Sequence, residues 1–589
     1  MHHRHSRTMK NASVSLVLVI LIVAKAASSS TPARPLLDQE SQPVAADLES
    51  FIPDLMTRGH VPGLSVAVIR DGGIVWHGAF GVKNAETGEA VDEETIFEAA
   101  SLTKPLFAYL VLQLVAEGIL DLDKPMAAYL PQDLIEEYLT HPLDHPEFRR
   151  DWFEKITARQ VLSHSSGMPH GEPLDPCLPL LFEPGKQYKY SATGYFFLQV
   201  VVEHLMGTPV EDIAQQYVFA PLGMDHSSLV WRNEYEQIAA NGHGFMAGPE
   251  PLRKYSDAHA AASMYTTAID YARFICAVLN AEQLSSEDVT HMLSPQIEVD
   301  EHISWSLGFG LQRDENGDAF WQWGDYGIFR NFVIAYRRER TGIVFLTNSW
   351  YGLSIGRELI AHGIGGAAHA LDWLEYQDHS DPFMHFAWIA IEGGADPAIA
   401  RISEFRSQNP ELLDEAEINA LGYGFLQAGR LDDAITFFEL NAKEHPESAN
   451  VWDSLGEGLM ASSQYEAAIT SYQHSLKLDD SNENARKHID WMQLEISSRD
   501  DPLVMSDDDL ESYVGTYGPR KVTLRDGVLH YLREGTGNPE RTLRPLTRNV
   551  FALNGSPDWR FHFVLNDSGR VVAIEGLTIN GVADRHERE

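Results

Sequence analysis

Ser101 and Lys104 are the residues whose types and spacing most directly indicate chemistry. A separation of three places a hydroxyl and an amine on one face of a helix, close enough to share a proton. Burial of the lysine would lower its pKa and let it accept that proton, which would make the pair a nucleophile beside its own base. A Ser-x-x-Lys spacing also arises by chance in a chain of 589 residues. The residues around the pair must therefore show whether it is catalytic.

The surrounding residues favour the chemical interpretation. The run Ile96 to Glu117 is predicted to be helix-like, with Pro105 in the first turn, where a helix tolerates proline. Apolar residues occupy nearly every face of this run, which predicts a buried helix. A lysine at the start of a buried helix is well explained by a lowered pKa that serves catalysis.

A tyrosine-rich segment offers a third reactive group. Tyr190 lies in the run from Tyr188 to Leu198, after a Pro-Gly-Lys turn at 184–186. Beside the Ser101 and Lys104 pair, its phenol could act as a phenolate, a general base or a proton relay, provided that nearby positive charge lowers its pKa. The alternative is an aromatic side chain that packs at the start of a helix.

Five segments follow one another along the chain in an order that indicates the class of protein. They are His60–Ile69, Ile96–Pro105, Ile156–Pro169, Pro184–Tyr195 and Ser263–Phe274. With them, the sequence from about residue 59 to 348 resembles the beta-lactamase-related serine hydrolases, which include class C beta-lactamases, penicillin-binding proteins, D-aminopeptidases and esterases. The resemblance implies that Ser101 attacks an ester or amide carbonyl to form an acyl-enzyme, with Lys104 and Tyr190 sharing the base and acid roles.

The sequence departs from that family at two substrate-binding positions. The family's tyrosine motif is Tyr-x-Asn, whereas Ala192 here replaces the amide that would bind a substrate acylamino carbonyl. The third motif is normally Lys-Thr-Gly or His-x-Gly, and the best match, Gln322-Trp323-Gly324, brings no cation. Beta-lactam hydrolysis is therefore disfavoured, and a neutral ester or peptide fits the altered pocket better.

The resemblance also implies an oxyanion site. It would lie between the backbone N–H groups of Ser101 and Asp325, the residue after the third motif. Fixed donors of this kind typically contribute about 3 kcal/mol each. Arg330 lies a few residues beyond and is either a substitute for the missing cation or a surface arginine.

Composition limits the possible partners. Lys and Arg number 45 against 85 Asp and Glu, a net charge of −40. This disfavours nucleic acid and anionic membranes, because phosphate groups must be met by cations. The 25 histidines are scattered without ligand spacing, so neither a metal nor another cofactor is predicted. The expected partner is a small-molecule or peptide substrate.

The first residues resemble an export signal. Lys10 precedes the apolar run Val14 to Val23, which is too short to span a membrane. Residues 1–27 are therefore predicted to be a signal peptide and the protein to be periplasmic or secreted. The chain has two cysteines, Cys177 and Cys276. The export compartment would permit a disulfide between them, but two cysteines so far apart in sequence are more often two separate thiols.

A repeat of thirty-four residues follows the hydrolase-like region, which is placed at 40–375. Its matched pairs are Leu421 with Leu455, Gly422 with Gly456, Ala434 with Ala468 and Phe438 with Tyr472. The period resembles tetratricopeptide repeats, assigned here to 395–497. Such a stack either binds a protein or peptide partner or serves as a spacer between domains.

The last segment, 505–589, is predicted to be a small β-barrel of lipocalin-like type. Trp559, Phe561, Phe563 and Leu565 alternate with other residues, and Asp526-Gly527 and Asn580-Gly581 indicate tight turns. A filled barrel is favoured over one that holds a ligand. The fold class is thus multidomain: an α/β domain with an antiparallel sheet and a helical subdomain, then helical repeats, then an all-β barrel.

Two functions remain open at this stage. The first is an exported serine hydrolase acting on an ester, an amide or a D-amino-acid peptide. The second is a catalytically weak or inactive penicillin-binding-like protein that binds peptide or cell-wall ligands, with the repeats as its interaction module. Retention of Ser101, Lys104 and Tyr190 together favours the enzyme.

Overall fold

The computed structural model describes residues 44–138, 149–171, 180–314, 317–535 and 538–589. The chain forms two compact units, and of the described residues the first ends at Trp388 and the second comprises Ile389–Glu589. The predicted signal peptide and Cys177 lie outside the described residues. Cys276 is a buried free thiol, and burial raises its pKa to about 11.

A nine-stranded antiparallel sheet forms the framework of the first unit. In spatial order its strands are Glu89–Ala90, Gly73–Asn84, Gly63–Arg70, Thr341–Thr347, Arg330–Tyr336, Gly317–Asp325, Gly310–Asp314, Ile303–Trp305 and Ile297–Glu298. Seven of the eight residues of Gly63–Arg70 are buried, as expected for a strand covered on both faces. This strand begins at Gly63, three residues later than its motif, because His60 adopts a left-handed conformation with φ of 52°.

Helices occur throughout residues 44–393. They are Val44–Arg58, Thr103–Ala116, Gln132–Tyr138, Arg150–Phe153, Ala158–Leu162, Thr193–Met206, Val210–Ala214, Ala220–Leu222, Ala268–Asn280, Ser286–Met292, Gly356–Gly363, His369–Trp373 and Pro382–Gly393. Shorter turns of helix are Ala100–Leu102, Met126–Tyr129, Gln215–Phe219, Asn233–Gln237 and Gly352–Ile355. Two small strand pairs complete the unit: Phe97–Glu98 with Tyr265–Thr266, and Gly242–His243 with Pro249–Glu250.

The helix that carries the reactive pair is shorter than predicted. Its apolar run includes a strand, Phe97–Glu98, because these residues pair with Tyr265–Thr266. The helix proper is Thr103–Ala116, and its first twelve residues are all buried. The prediction of a buried helix is right for this part and wrong for the residues from Ile96 to the start of the turn Ala100–Leu102.

The second unit begins with helices. They are Ala395–Ala400, Ile402–Gln408, Glu415–Gln427, Leu431–Glu444, Ala449–Ala461, Tyr465–Leu478, Glu483–Asp500 and the short Asp507–Glu511. Contacts recur at the interval of the repeat: a Cβ at Gly422 would lie 2.3 Å from the Phe438 ring, and one at Gly456 would lie 2.8 Å from the Tyr472 ring. These glycines let paired helices approach closely.

Eight sequential antiparallel strands end the chain. They are Gly515–Tyr517, Arg520–Arg525, Val528–Arg533, Arg541–Pro545, Val550–Leu553, Ser556–Leu565, Val571–Thr578 and Gly581–Glu587. The Glu589 N–H donates to the Thr516 carbonyl at 3.0 Å, which brings the two edge strands together into a nearly closed barrel. Phe561 and Phe563 are fully buried in its core, whereas Leu565 is 38% exposed because the register shifts just before it.

Candidate active site

Ser101 and Lys104 lie side by side at the start of the buried helix. Ser101 belongs to the turn Ala100–Leu102, and Lys104 to the first helical turn. The Lys104 Nζ donates hydrogen bonds to the Ser101 Oγ at 3.0 Å and to the Ala261 carbonyl at 2.9 Å. The lysine is 1% exposed, and burial lowers its pKa to about 7. A substantial fraction of this amine is therefore neutral at pH 7 and able to take the Ser101 proton.

The backbone before Ser101 is held in an unusual conformation. Ala100 has a φ of 49°, in the left-handed region that residues with a Cβ rarely adopt. The Thr103 hydroxyl fixes it, because its Oγ1 donates to the Ala100 carbonyl at 2.7 Å and accepts from the Met264 N–H at 3.1 Å. Strain of this kind collects at functional sites, where the surrounding structure holds a reactive group in place.

Tyr190 adjoins the pair from the loop before the helix Thr193–Met206. Its hydroxyl hydrogen-bonds to the Ser101 side chain and accepts from the Gln322 Nε2 at 3.1 Å. The Lys104 Nζ lies 4.8 Å from its ring centroid. Burial raises the pKa of Tyr190, and the two hydrogen bonds offset only part of this effect. The phenolate role is therefore disfavoured, and Tyr190 is a neutral group able to relay a proton.

Two neutral histidines hold the backbone after Tyr190. The Ser191 N–H donates to the His164 Nδ1 at 3.1 Å, and the Ala192 N–H donates to the His170 Nδ1 at 3.3 Å. Burial, with a smaller contribution from the nearby lysine charge, lowers the pKa of both imidazoles, to about 4 for His170. His164 lies in the segment Ile156–Pro169, but this role was not predicted, because an acceptor for a backbone N–H has no sequence signature.

Gln322 links the catalytic groups to one another. Its Nε2 donates to the Tyr190 hydroxyl at 3.1 Å and to the Ser101 carbonyl at 3.2 Å. The residue is fully buried, so both hydrogens of its amide nitrogen are used inside the site. Ala192 is also buried and presents only a methyl group. Neither position supplies a charge to a substrate.

Gly324 lets its strand approach the nucleophile turn. A Cβ at Gly324 would lie 2.1 Å from the Ala99 carbonyl oxygen. In the hairpin beyond it, the Tyr326 N–H donates to the Phe329 carbonyl at 3.0 Å. Because bonded and non-bonded pairs alternate along antiparallel strands, the Asp325 N–H points away from the partner strand. This N–H is therefore not used in pairing with that strand, which an oxyanion donor also requires.

The Asp325 carboxylate stabilises this hairpin. It accepts hydrogen bonds from the Gly327 N–H at 2.6 Å and from the Tyr376 hydroxyl, and its Oδ2 lies 3.2 Å from the Arg330 Nε. The Arg330 side chain is 13% exposed, and its guanidinium lies 4.2 Å from the Trp350 ring centroid. The prediction of a surface arginine is therefore wrong. Its charge is paired with Asp325, so it does not replace the missing cation either.

Within the described residues, no group of three or more His, Cys, Asp or Glu side chains could hold a metal ion. In the same ranges, no helix combines the length and apolar character needed to cross a bilayer.

A family profile described as Beta-lactamase matches residues 48–363. The esterase EstB of Burkholderia gladioli is 30% identical over 255 residues, which are 38% of this chain and 61% of EstB. Penicillin-binding protein 4 of Amycolatopsis lactamdurans is 30% identical over 261 residues, 41% of this chain and 65% of that protein. The matches thus span under two thirds of either relative.

A solved structure that matches part of this chain is that of a beta-lactamase/D-alanine carboxypeptidase from Pseudomonas syringae. It covers 54% of this chain and 99% of its own, with 18% identity and a TM-score of 0.47.

Proposed function

Because the chain belongs to the beta-lactamase family, we propose that it is a serine hydrolase that cleaves an ester or amide through an acyl-enzyme on Ser101. The observation that carries this proposal is the 3.0 Å hydrogen bond between the Lys104 amine and the Ser101 hydroxyl. Burial alone accounts for the lowered pKa of this lysine. A base whose pKa lies near the working pH combines proton affinity with availability.

In the acylation step, neutral Lys104 takes the proton of Ser101 as the Oγ attacks the substrate carbonyl carbon. The negative charge that develops on the carbonyl oxygen is stabilised by the N–H groups of Ser101 and Asp325. Tyr190 is neutral and hydrogen-bonded to Ser101, so it is suited to pass its proton to the leaving oxygen or nitrogen as the carbonyl–leaving-group bond breaks. It then takes up the proton held by Lys104, which leaves the phenol and the amine both neutral. Lys104 is thus the base and Tyr190 the relay.

In the deacylation step, a water molecule attacks the acyl-enzyme carbonyl. The amine of Lys104 again accepts a proton, now from the water, and the Ser101 oxygen leaves and is reprotonated. The same oxyanion donors serve both steps, since both pass through a tetrahedral intermediate on the same carbonyl.

The preferred substrate is a neutral ester. Gln322 and Ala192 bring no charge to the site, and the Arg330 guanidinium is paired with Asp325. None of these three residues therefore offers a cation to bind a substrate carboxylate. A similar chain, EstB, is named an esterase. An amide or a D-amino-acid peptide is the second choice, and a beta-lactam is disfavoured for the same electrostatic reason.

The pH dependence of activity tests the assignment of Lys104 as the base. Its pKa is lowered to about 7, and only the deprotonated amine accepts the Ser101 proton. The kcat/KM for a neutral ester should therefore rise about tenfold per pH unit below pH 7 and level off above it. A profile that is flat or falls between pH 5 and 8 would contradict the assignment.

Outside the catalytic unit, we propose that residues 395–497 form tetratricopeptide-type repeats that act as a spacer or bind a peptide. The recurring contacts of Gly422 with Phe438 and of Gly456 with Tyr472 support this. Export to the periplasm or medium is proposed from residues 1–27.

A further inference from the structure

Six aromatic side chains form a continuous surface beside the catalytic groups, here called the aromatic wall. Its members are Tyr188, Tyr190, Trp305, Trp321, Trp323 and Trp373. Trp305 and Trp321 are fully buried and form its base. The other four residues are half-buried.

The wall begins at the nucleophile. The ring centroids of Tyr190 and Trp323 are 4.6 Å apart, and the Tyr190 hydroxyl is hydrogen-bonded to the Ser101 side chain. Tyr190 therefore contacts both Ser101 and Trp323. From Tyr190 the wall continues to Trp305, whose centroid is 5.9 Å away.

The base of the wall depends on a glycine. Gly310 lies between Trp305 and Trp321 in register on the three neighbouring strands. A Cβ at Gly310 would lie 2.5 Å from the Trp321 ring, so a larger residue would displace it. Instead the two indoles meet edge to face at 5.4 Å, an arrangement that aromatic pairs prefer. The fully buried indoles thus give the half-buried residues a rigid support.

Trp323 is also held in a fixed orientation. Its side chain hydrogen-bonds to the Tyr376 hydroxyl, which in turn donates to the Asp325 carboxylate. One tyrosine therefore orients both the wall and the residue that supplies the proposed oxyanion donor. A surface fixed in this way needs no rearrangement to receive a planar group.

We infer that the aromatic wall is a substrate subsite and that the preferred substrate is a neutral ester carrying an aromatic ring, which packs against Trp323. The inference rests on the proposed hydrolase function. It follows from half-buried aromatic residues that adjoin the nucleophile and from neutral neighbours. His164 and His170 have lowered pKa values, and Gln322 stands where a cation is usual. Aromatic faces and edges are matched best by another aromatic ring.

The test measures the hydrolysis of three esters by the full chain. Ethyl acetate has no ring, ethyl phenylacetate has a ring on the acyl side, and phenyl acetate has a ring on the leaving group. The variants are Trp323→Ala, Trp323→Phe and Trp373→Ala. Trp76→Ala is the control, because this half-buried tryptophan lies on Gly73–Asn84, four strands away in the sheet. The readout is the ratio of kcat/KM for each aryl ester to that for ethyl acetate, which cancels any general loss of activity.

Trp323→Ala should lower this ratio at least tenfold for one of the aryl esters, Trp373→Ala should lower it less, and Trp323→Phe should preserve most of it. The responding ester identifies the side of the substrate that meets the wall. Unchanged ratios for both aryl esters in Trp323→Ala and Trp373→Ala would overturn the subsite while ester hydrolysis persists. Loss of the proposed function itself is distinguished by wild-type protein that hydrolyses none of the three esters.

Discussion

Replacing Lys104 with methionine should lower kcat/KM for a neutral ester by about a thousandfold while the protein becomes more stable. A positioned general base typically contributes 10²- to 10⁴-fold to the rate. The same burial that lowers the pKa of Lys104 from 10.5 to about 7 costs folding free energy on the order of 5 kcal/mol at neutral pH. An apolar side chain of similar length removes that cost, so the melting temperature should rise as activity falls.

Lys83→Met is the matched control for this experiment. Lys83 is also buried, but its Nζ lies 3.1 Å from Glu89 and 3.4 Å from Asp92, so it is an ion-paired structural lysine. This variant should keep wild-type kcat/KM. If Lys104→Met retained more than a tenth of wild-type kcat/KM, Lys104 would not be the base.

Gly324→Ala should lower both activity and stability. The new Cβ would lie 2.1 Å from the Ala99 carbonyl oxygen and 3.3 Å from the Ala100 Cβ. Because the nearer atom belongs to the backbone, the strand and the nucleophile turn must separate. Loss of one aligned oxyanion donor typically costs about 10²- to 10³-fold in kcat, and overpacking costs about 1–3 kcal/mol. Steady-state kinetics and thermal unfolding measure the two effects.

Gly73→Ala controls for glycine substitution in the same sheet. The nearest atom to its added Cβ, the Arg70 carbonyl oxygen, would be 3.8 Å away, an ordinary contact. This variant should keep its activity. An active Gly324→Ala protein with an unchanged melting temperature would show that the close approach at Gly324 does not set the oxyanion geometry.

The sequence contained enough information to place some of these groups together. Ser101 and Lys104 are three residues apart, and helical geometry alone then brings their side chains to one face. Gly324 and Asp325 were placed near them by family resemblance, since nothing local in the sequence joins residues more than two hundred positions apart. The thirty-four-residue recurrence of Gly422 and Gly456 likewise predicts paired helices, and each glycine lies against an aromatic ring of the paired helix.

Other features depend on tertiary contacts that leave no local signal. Phe97 and Glu98 form a β-strand because they pair with Tyr265–Thr266, although the residues that follow them in sequence favour a helix. For Arg330 the sequence left a substitute cation or a surface arginine as alternatives, and its ion pair with Asp325 excludes both. Arg560, on a strand, is 1% exposed because it stacks 3.6 Å from the Trp491 ring of the adjacent helix. The partners of Phe97, Glu98 and Arg560 lie far away in sequence, whereas Arg330 and Asp325 face each other across one hairpin.

The nucleophilic character of Ser101 is the central claim, and labelling by an active-site reagent tests it most directly. The wild-type chain and Ser101→Ala would be incubated with a fluorophosphonate, and their intact masses measured. We expect one phosphonyl adduct on the wild type, located on Ser101 by peptide mapping, and none on the variant. No adduct on a folded wild-type protein, or an equal adduct on both proteins, would contradict the hydrolase mechanism and favour a penicillin-binding-like protein without turnover.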